Sequence, residues 1–331
     1  MTEPPALPPV LVVISPHVGG RGVGARLTAS LRAYAEVTVV EAADEEPAAL
    51  RAARVIVTGL GPVTAAHLAA APDLGLLQCA SHGFDYVDTA AAAARGVTVC
   101  TIASSGAEGH NVAEQTFALM LALAKRLVPA HTALTAADWA LPRLQPSITE
   151  LSGKTLGIVG LGHIGREVAH RAAAFGMTVL YSSPRPAPPE VERRLGARRT
   201  GLEELLRASD YVSLHAPLTP ATRRLLDAGR LALCKRTAYV VNTARGALID
   251  QEALADALEA GALAGAGLDV FDPEPPPASS RLLRAPGVVL SPHVAGVTRE
   301  TLGRIAAAVA GNVRAYLAGE PLRDVVRPAP G

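Results

Sequence analysis

Short apolar runs recur along this chain, each followed by a stretch whose apolar positions fall at helical spacing. The early runs are Val10–Ile14, Val37–Val40, Val55–Val57, Leu76–Cys79 and Val97–Cys100, separated by Ala-rich segments. The later ones are Leu156–Val159, Met177–Tyr181, Tyr211–Leu214, Ala238–Val241, Gly267–Val270 and Val288–Leu290. Unbroken runs of this length suit strands buried on both faces, and their alternation with helices predicts parallel α/β layers. Helices are expected over Ile164–Phe175, Leu202–Arg207, Gln251–Ala260 and Thr301–Leu317, with a Gly/Pro-containing tail after the last. Between the two sets of strands, Asn111–Val128 is expected to form one long helix that links two domains. It carries Leu119, Leu123 and Leu127 on one face and stops at Pro129. Pro129–Leu151, with Trp139, Pro142 and Pro146, reads as a surface excursion that serves either a subunit contact or local packing.

The most specific local pattern is TLGIVGLGHIGRE, residues 155–167. An apolar strand runs into Gly160, Gly162 and Gly165 at G-x-G-x-x-G spacing and then into a helix. A second strand follows at the distance expected of a βαβ unit. In that context Gly160 permits the sharp turn, Gly162 lets the backbone approach a pyrophosphate, and Gly165 lets helix and strand pack closely. The N–H groups near His163 and Ile164 then face the phosphates at the positive end of the helix. An ordinary strand–helix turn is the alternative, and the flanking elements disfavour it.

Composition narrows the classes of function. At 331 residues the chain has room for two cores, and a hydrophobic content of 49% argues for a well-buried globular protein. A net charge of +1 without a Lys/Arg block gives no electrostatic basis for nucleic acid or anionic membrane, and 3% aromatics leaves few stacking platforms for single strands. Cys79, Cys100 and Cys234 lack C-x-x-C spacing, so no metal site is expected and the thiols read as core residues of a reducing compartment. The first ten residues do not read as a signal peptide, and the apolar stretch Phe117–Ala124 is too short for a membrane span. A cytoplasmic protein is therefore expected.

Candidate chemistry gathers after strands. Arg245 follows Tyr239–Val241, Glu274 follows Leu268–Phe271, and His293 follows Val288–Leu290, which puts all three at the edge that carries the phosphate turn. A guanidinium suits bidentate capture of a carboxylate. An imidazole suits proton donation to a carbonyl oxygen, and a neighbouring carboxylate orients it and favours its charged form. Singly, each has an ordinary alternative: a surface cation, a solvated loop acid, a structural histidine. Together, beside a dinucleotide turn, they describe hydride transfer. The loop Ser81–Asp85, at a strand's carboxyl end, is either a ligand loop or a connecting turn.

Five ordered segments now carry a resemblance: GLGHIG, HAPLTPAT (215–222), NTARGALID, DVFDPEP and SPHVAG, with Gly83-Phe84-Asp85 and Val112-Ala113-Glu114 matching further upstream. The chain resembles the D-isomer-specific 2-hydroxyacid dehydrogenases over nearly its whole length. The resemblance implies an α/β fold of two Rossmann-like domains with parallel sheets: a discontinuous substrate domain (1–105 and 297–331) and an inserted NAD(P)-binding domain (106–296). It implies an Arg245, Glu274 and His293 catalytic set with His293 as acid/base, and a homodimer built on the cofactor domains. Amides near His82 and Gly83 are implied to hold the substrate carboxylate, and Asp269 to face the nicotinamide amide. His215, Ala216, Pro217, Thr222, Thr243, Ala244 and Gly296, within the matching segments, are taken as further cofactor-side residues.

Two departures qualify the match. Where NAD-preferring folds place an acid after the second strand of the motif, this chain reads Tyr181-Ser182-Ser183-Pro184-Arg185, with no acid before Glu190. Ser183 and Arg185 suit a 2′-phosphate, which points to NADP(H) over NAD. His82 stands where the family often has a small apolar residue; it adds a cation to the substrate pocket or caps the loop. Glu274, where related formate dehydrogenases carry Gln, favours a 2-oxoacid/2-hydroxyacid couple, with glyoxylate or hydroxypyruvate reduction expected first. A 3-phosphoglycerate dehydrogenase is a second reading, disfavoured by the absence of sequence for an appended regulatory domain. Phosphite dehydrogenase-like oxidation and a non-catalytic, dinucleotide-sensing corepressor-like protein are further alternatives; short termini disfavour the last.

Overall fold

Val10, Val12 and Ile14 leave the first strand toward one face of a sheet and Leu11 and Val13 toward the other, and all five are buried. The period of two thus fills both faces, as a parallel α/β sheet requires. The computed structural model describes residues 7–326, so residues 327–331 of the expected tail and the first six residues lie outside it. The chain divides into two units, one comprising residues up to Glu108 and from Val297 onward, the other Gly109–Gly296.

The first unit holds β1 (Pro9–Ile14), β2 (Glu36–Val40), β3 (Val55–Gly59), β4 (Leu76–Cys79) and β5 (Thr98–Cys100). They form one parallel sheet in the order β2-β1-β3-β4-β5. The late helix Arg299–Ala318 belongs to this unit, burying Ile305, Val309 and Val313 against Val10, Val12, Val55 and Leu76. A buried polar staple fixes it: Asn312 Nδ2 donates to Gln78 Oε1 at 2.8 Å, and Gln78 Nε2 donates to Cys79 O and Thr101 O. The helix after β1, Gly20–Leu27, has its start blocked by the Glu41 carboxylate, which accepts from Arg21 N. That end therefore already holds an anion of the chain's own.

The second unit holds β6 (Thr155–Val159), β7 (Thr178–Ser182), β8 (Ala197–Arg199), β9 (Tyr211–Leu214), β10 (Tyr239–Asn242), β11 (Gly265–Leu268) and β12 (Val288–Leu290). All are parallel, in the order β12-β11-β10-β9-β6-β7-β8. One face packs on helices Gly109–Ala124 and His163–Ala174, the other on Leu202–Ala208 and Gln251–Glu259. The strand order reverses between β6 and β9, which is where open α/β sheets bind ligands.

Two expectations need correction. The long helix ends at Ala124, not at Pro129: the Ala124 carbonyl accepts from Thr149 N at 2.8 Å, Lys125 Nζ reaches Thr149 O, and Arg126 turns left-handed at φ 52°. A second helix, Leu127–Thr135, leaves at 61° to the first. Pro129 sits in its first turn, where no amide hydrogen is needed. Leu127 is consequently off the buried face and 60% exposed. Of the two roles open to the excursion, subunit contact or local packing, the 73% exposure of Trp139 fits the first. Second, β8 has no counterpart among the expected strands, and β11 runs two residues earlier than expected, so that Asp269 and Val270 lie past its end. No single helix among the described residues is long and apolar enough to cross a membrane.

Candidate active site

The glycine turn after β6 is shaped by close approach. Gly160 has φ 98°, and a Cβ there would lie 2.7 Å from His215 O, so the loops after β6 and β9 touch at the point where the strand order reverses. A Cβ on Gly165 would lie 2.2 Å from Gly160 O, which lets the helix press onto the turn. Gly162 is the N-cap of His163–Ala174, with no side chain capping the helix and no atom within 4 Å of where its Cβ would be. Open space over uncapped N–H groups fits a pyrophosphate. The His163 imidazole itself lies against Gly109, so its contribution to that cradle, like that of Ile164, is its backbone N–H.

The residues around this turn are largely tied into the fold. Ser183 Oγ accepts from Leu161 N at 2.9 Å, binding the end of β7 to the phosphate turn. Arg185 is exposed, and Arg199, at the end of β8, donates to Ser183 O and Pro184 O at 2.9 and 3.0 Å. The His215 Nε2 pairs with Ser213 Oγ at 2.8 Å, and burial pulls its pKa down to about 3, which keeps the ring neutral. Thr222 Oγ1 donates to Pro217 O and accepts from Thr219 N, holding the loop that begins with Ala216. Thr243 is buried with its hydroxyl on Thr116 Oγ1 at 3.1 Å, and Ala244 N donates to Asn242 Oδ1. Gly296 is the last residue of this unit.

Arg245, Glu274 and His293 follow β10, β11 and β12 at the carboxyl edge that also bears the glycine turn. His293 Nδ1 and Glu274 Oε2 are 2.6 Å apart, and Glu274 Oε1 accepts from Phe271 N at 2.9 Å. Burial raises the Glu274 carboxyl, but the hydrogen bond and charge of His293, the Phe271 N–H and the charge of Arg245 outweigh it and hold the pKa below the ordinary value. Glu274 is therefore an anion at neutral pH. With Nδ1 occupied, Nε2 is the ring nitrogen left to exchange a proton. Arg245 is presented by Asn242, whose Nδ2 donates to Arg245 O at 2.8 Å.

His293 has φ 53°, a conformation that costs energy in a residue with a Cβ and persists where surroundings enforce it. Asp269 enforces it. Its carbonyl accepts from His293 N at 2.7 Å, and its fully buried carboxylate takes Ser291 Oγ, Val294 N and Ala295 N at 2.5, 3.0 and 2.9 Å. Gln115 extends this support by donating to Ser291 Oγ. The Asp269 carboxylate thus holds the histidine loop in this structure. The supporting roles of Asn242, Gln115 and Ser291 are not legible in the sequence: Asn242 and Ser291 stand inside NTARGALID and SPHVAG, but a motif does not show which atom a side chain bonds.

In the first unit, the loop after β4 is likewise preformed. Ser81 Oγ lies 2.7 Å from both Gly83 O and Tyr86 Oη, and Ile102 N reaches Ser81 O. The His82 N–H donates to Glu108 Oε2 at 3.0 Å. Among the described residues, no group of three or more His, Cys, Asp or Glu side chains is arranged to hold a metal.

Residues 117–295 match the family described as D-isomer specific 2-hydroxyacid dehydrogenase, NAD binding domain. A glyoxylate reductase of Korarchaeum cryptofilum is 41% identical over 262 residues, covering 78% of either chain. A D-3-phosphoglycerate dehydrogenase of Mycobacterium tuberculosis is 40% identical over 301 residues, 90% of this chain but 56% of its own, so this chain spans about half that relative's length. The crystal structure of a glyoxylate reductase from Paecilomyes thermophila is similar with a TM-score of 0.83, at 29% identity over 98% of this chain and 99% of that one. Glycine turn, sheet order and relatives agree: the chain belongs to the D-isomer specific 2-hydroxyacid dehydrogenase family, oxidoreductases that work with a nicotinamide dinucleotide.

Proposed function

We propose that this protein reduces small 2-oxoacids, glyoxylate or hydroxypyruvate first among them, with NADPH in preference to NADH. The observation that carries the reading is the 2.6 Å His293–Glu274 pair, with the charge of Arg245 felt at Glu274, on the sheet edge that bears the glycine turn. A reduced nicotinamide dinucleotide, held at the glycine turn, would supply the hydride for the carbonyl carbon. His293 Nε2 gives its proton to the carbonyl oxygen as charge develops there, and Glu274, bonded at Nδ1, fixes the ring and faces the Nδ1 side with a carboxylate. Arg245 is the carboxylate receptor, with two N–H groups in one plane. On the cofactor side, Gly160, Gly162 and Gly165 shape the cradle, and the N–H groups of His163 and Ile164 take the pyrophosphate. The NADP(H) preference rests on the acid-free end of β7, where Arg199 adds a second guanidinium beside Ser183 and Arg185.

A homodimer fits the exposed apolar stretch Leu127, Leu134, Trp139 and Leu141, four large side chains at least 52% exposed within fifteen residues. The D-3-phosphoglycerate dehydrogenase relative, 40% identical over 90% of this chain, favours 3-phosphohydroxypyruvate as the second substrate to test. Initial rates with glyoxylate, hydroxypyruvate and 3-phosphohydroxypyruvate, each with NADPH and NADH, test the assignment. The first two are expected to be fastest, with NADPH ahead. A higher kcat/KM for 3-phosphohydroxypyruvate transfers the assignment to the second reading, faster NADH turnover removes the cofactor preference, and no turnover with any pair refutes the activity.

A further inference from the structure

The amide of His82 does not await a partner: it donates to Glu108 Oε2 at 3.0 Å. A carboxylate of the chain thus occupies the N–H that the loop offers to a substrate carboxylate. The two residues are 26 positions apart, on opposite sides of β5, and Glu108 is the last residue of its unit before Gly109. The loop needs no rearrangement to hold an anion, since Ser81, Gly83 and Tyr86 already fix its shape. A substrate carboxylate gains this N–H only by displacing Glu108, and it arrives beside a like charge. We propose that Glu108 is an internal competitor for the substrate carboxylate, a specificity-determining residue that sets the KM for small 2-oxoacids without taking part in proton or hydride transfer. The proposal rests on the reading of the 81–85 loop as a carboxylate receptor.

The test compares Glu108→Ala and Glu108→Gln with the natural protein at saturating reduced cofactor, reading KM and kcat for glyoxylate and the inhibition constant of oxamate, a 2-oxoacid isostere. A hydrogen bond to a charged group is worth roughly tenfold or more in affinity, so KM and the oxamate constant are expected to fall together by about tenfold in Glu108→Ala. Glu108→Gln, which keeps an acceptor but loses the charge, is expected to shift both in the same direction by less, and it serves if the alanine variant does not fold. The effect lies in KM rather than kcat; a merely structural role would lower kcat or thermal stability and leave KM unchanged or raised. Unchanged or higher KM and oxamate constants overturn the proposal. If the natural protein turns over no oxoacid, the functional reading has failed, and calorimetric binding of oxamate to the cofactor-loaded proteins still decides this one. Tighter binding by the variants supports the proposal; equal, weaker or absent binding overturns it.

Discussion

At the scale of single residues, the candidate chemistry was legible where a polar side chain stands in the loop after a strand. Arg245, Glu274 and His293 could be read because the strand period says where each strand ends, and the end of a parallel strand is where ligands bind. Their supports could not. Asp269 holds His293 in a left-handed conformation through bonds to three neighbours of that residue, Asn242 presents Arg245, and Glu108 reaches His82 across 26 positions. These are long-range or backbone-directed contacts, and spacing along the chain carries no trace of them. The Glu274 carboxylate gives a pH-dependent consequence. Its pKa is lowered in the folded protein, so the stabilisation it contributes is fully present above the ordinary glutamate value of about 4.3 and is lost as pH falls through its lower folded value. Denaturant unfolding of the natural protein and Glu274→Gln is expected to show a stability difference at pH 5 to 6 that shrinks toward pH 3. A difference that grows on acidification would contradict the assigned direction. The same variant is expected to lose about 10²-fold in oxoacid reduction, the low end for a general-acid contribution.

At the scale of elements, the alternation of apolar runs located eleven of the twelve described strands to within two residues. The exception, Ala197–Arg199, is a three-residue edge strand with two exposed arginines, so it carries neither an apolar run nor alternation. The break at Arg126 escaped for another reason. No helix-breaking residue stands there, and what ends the helix is the Ala124 carbonyl turning to Thr149, a tertiary bond. The break releases a second helix and an exposed Trp139, which underlie the proposed self-association. Replacing Trp139 with Glu is expected to shift the protein from dimer to monomer in sedimentation at micromolar concentration while leaving its far-ultraviolet dichroism unchanged. A dimer of undiminished affinity would remove this segment from the interface.

At the scale of the whole molecule, the chain builds two parallel sheets of similar logic, and they differ where it matters for an anion. In the first unit the Glu41 carboxylate blocks the helix start after β1. In the second, Gly162 leaves the helix start uncapped and the space over it open. Apolar spacing predicts a helix at Thr301–Leu317 but not which sheet it covers, and an expectation of that came only from the resemblance to a family; in the structure Arg299–Ala318 covers the sheet of the first unit. In the proposed reaction His293, oriented by Glu274, supplies the proton for 2-oxoacid reduction. The most direct test measures glyoxylate reduction and reduced-cofactor binding side by side in His293→Ala. Turnover is expected to fall by about 10²- to 10⁴-fold, the range of general acid catalysis, while the cofactor dissociation constant stays within about twofold. Near-normal turnover in that variant would contradict the account.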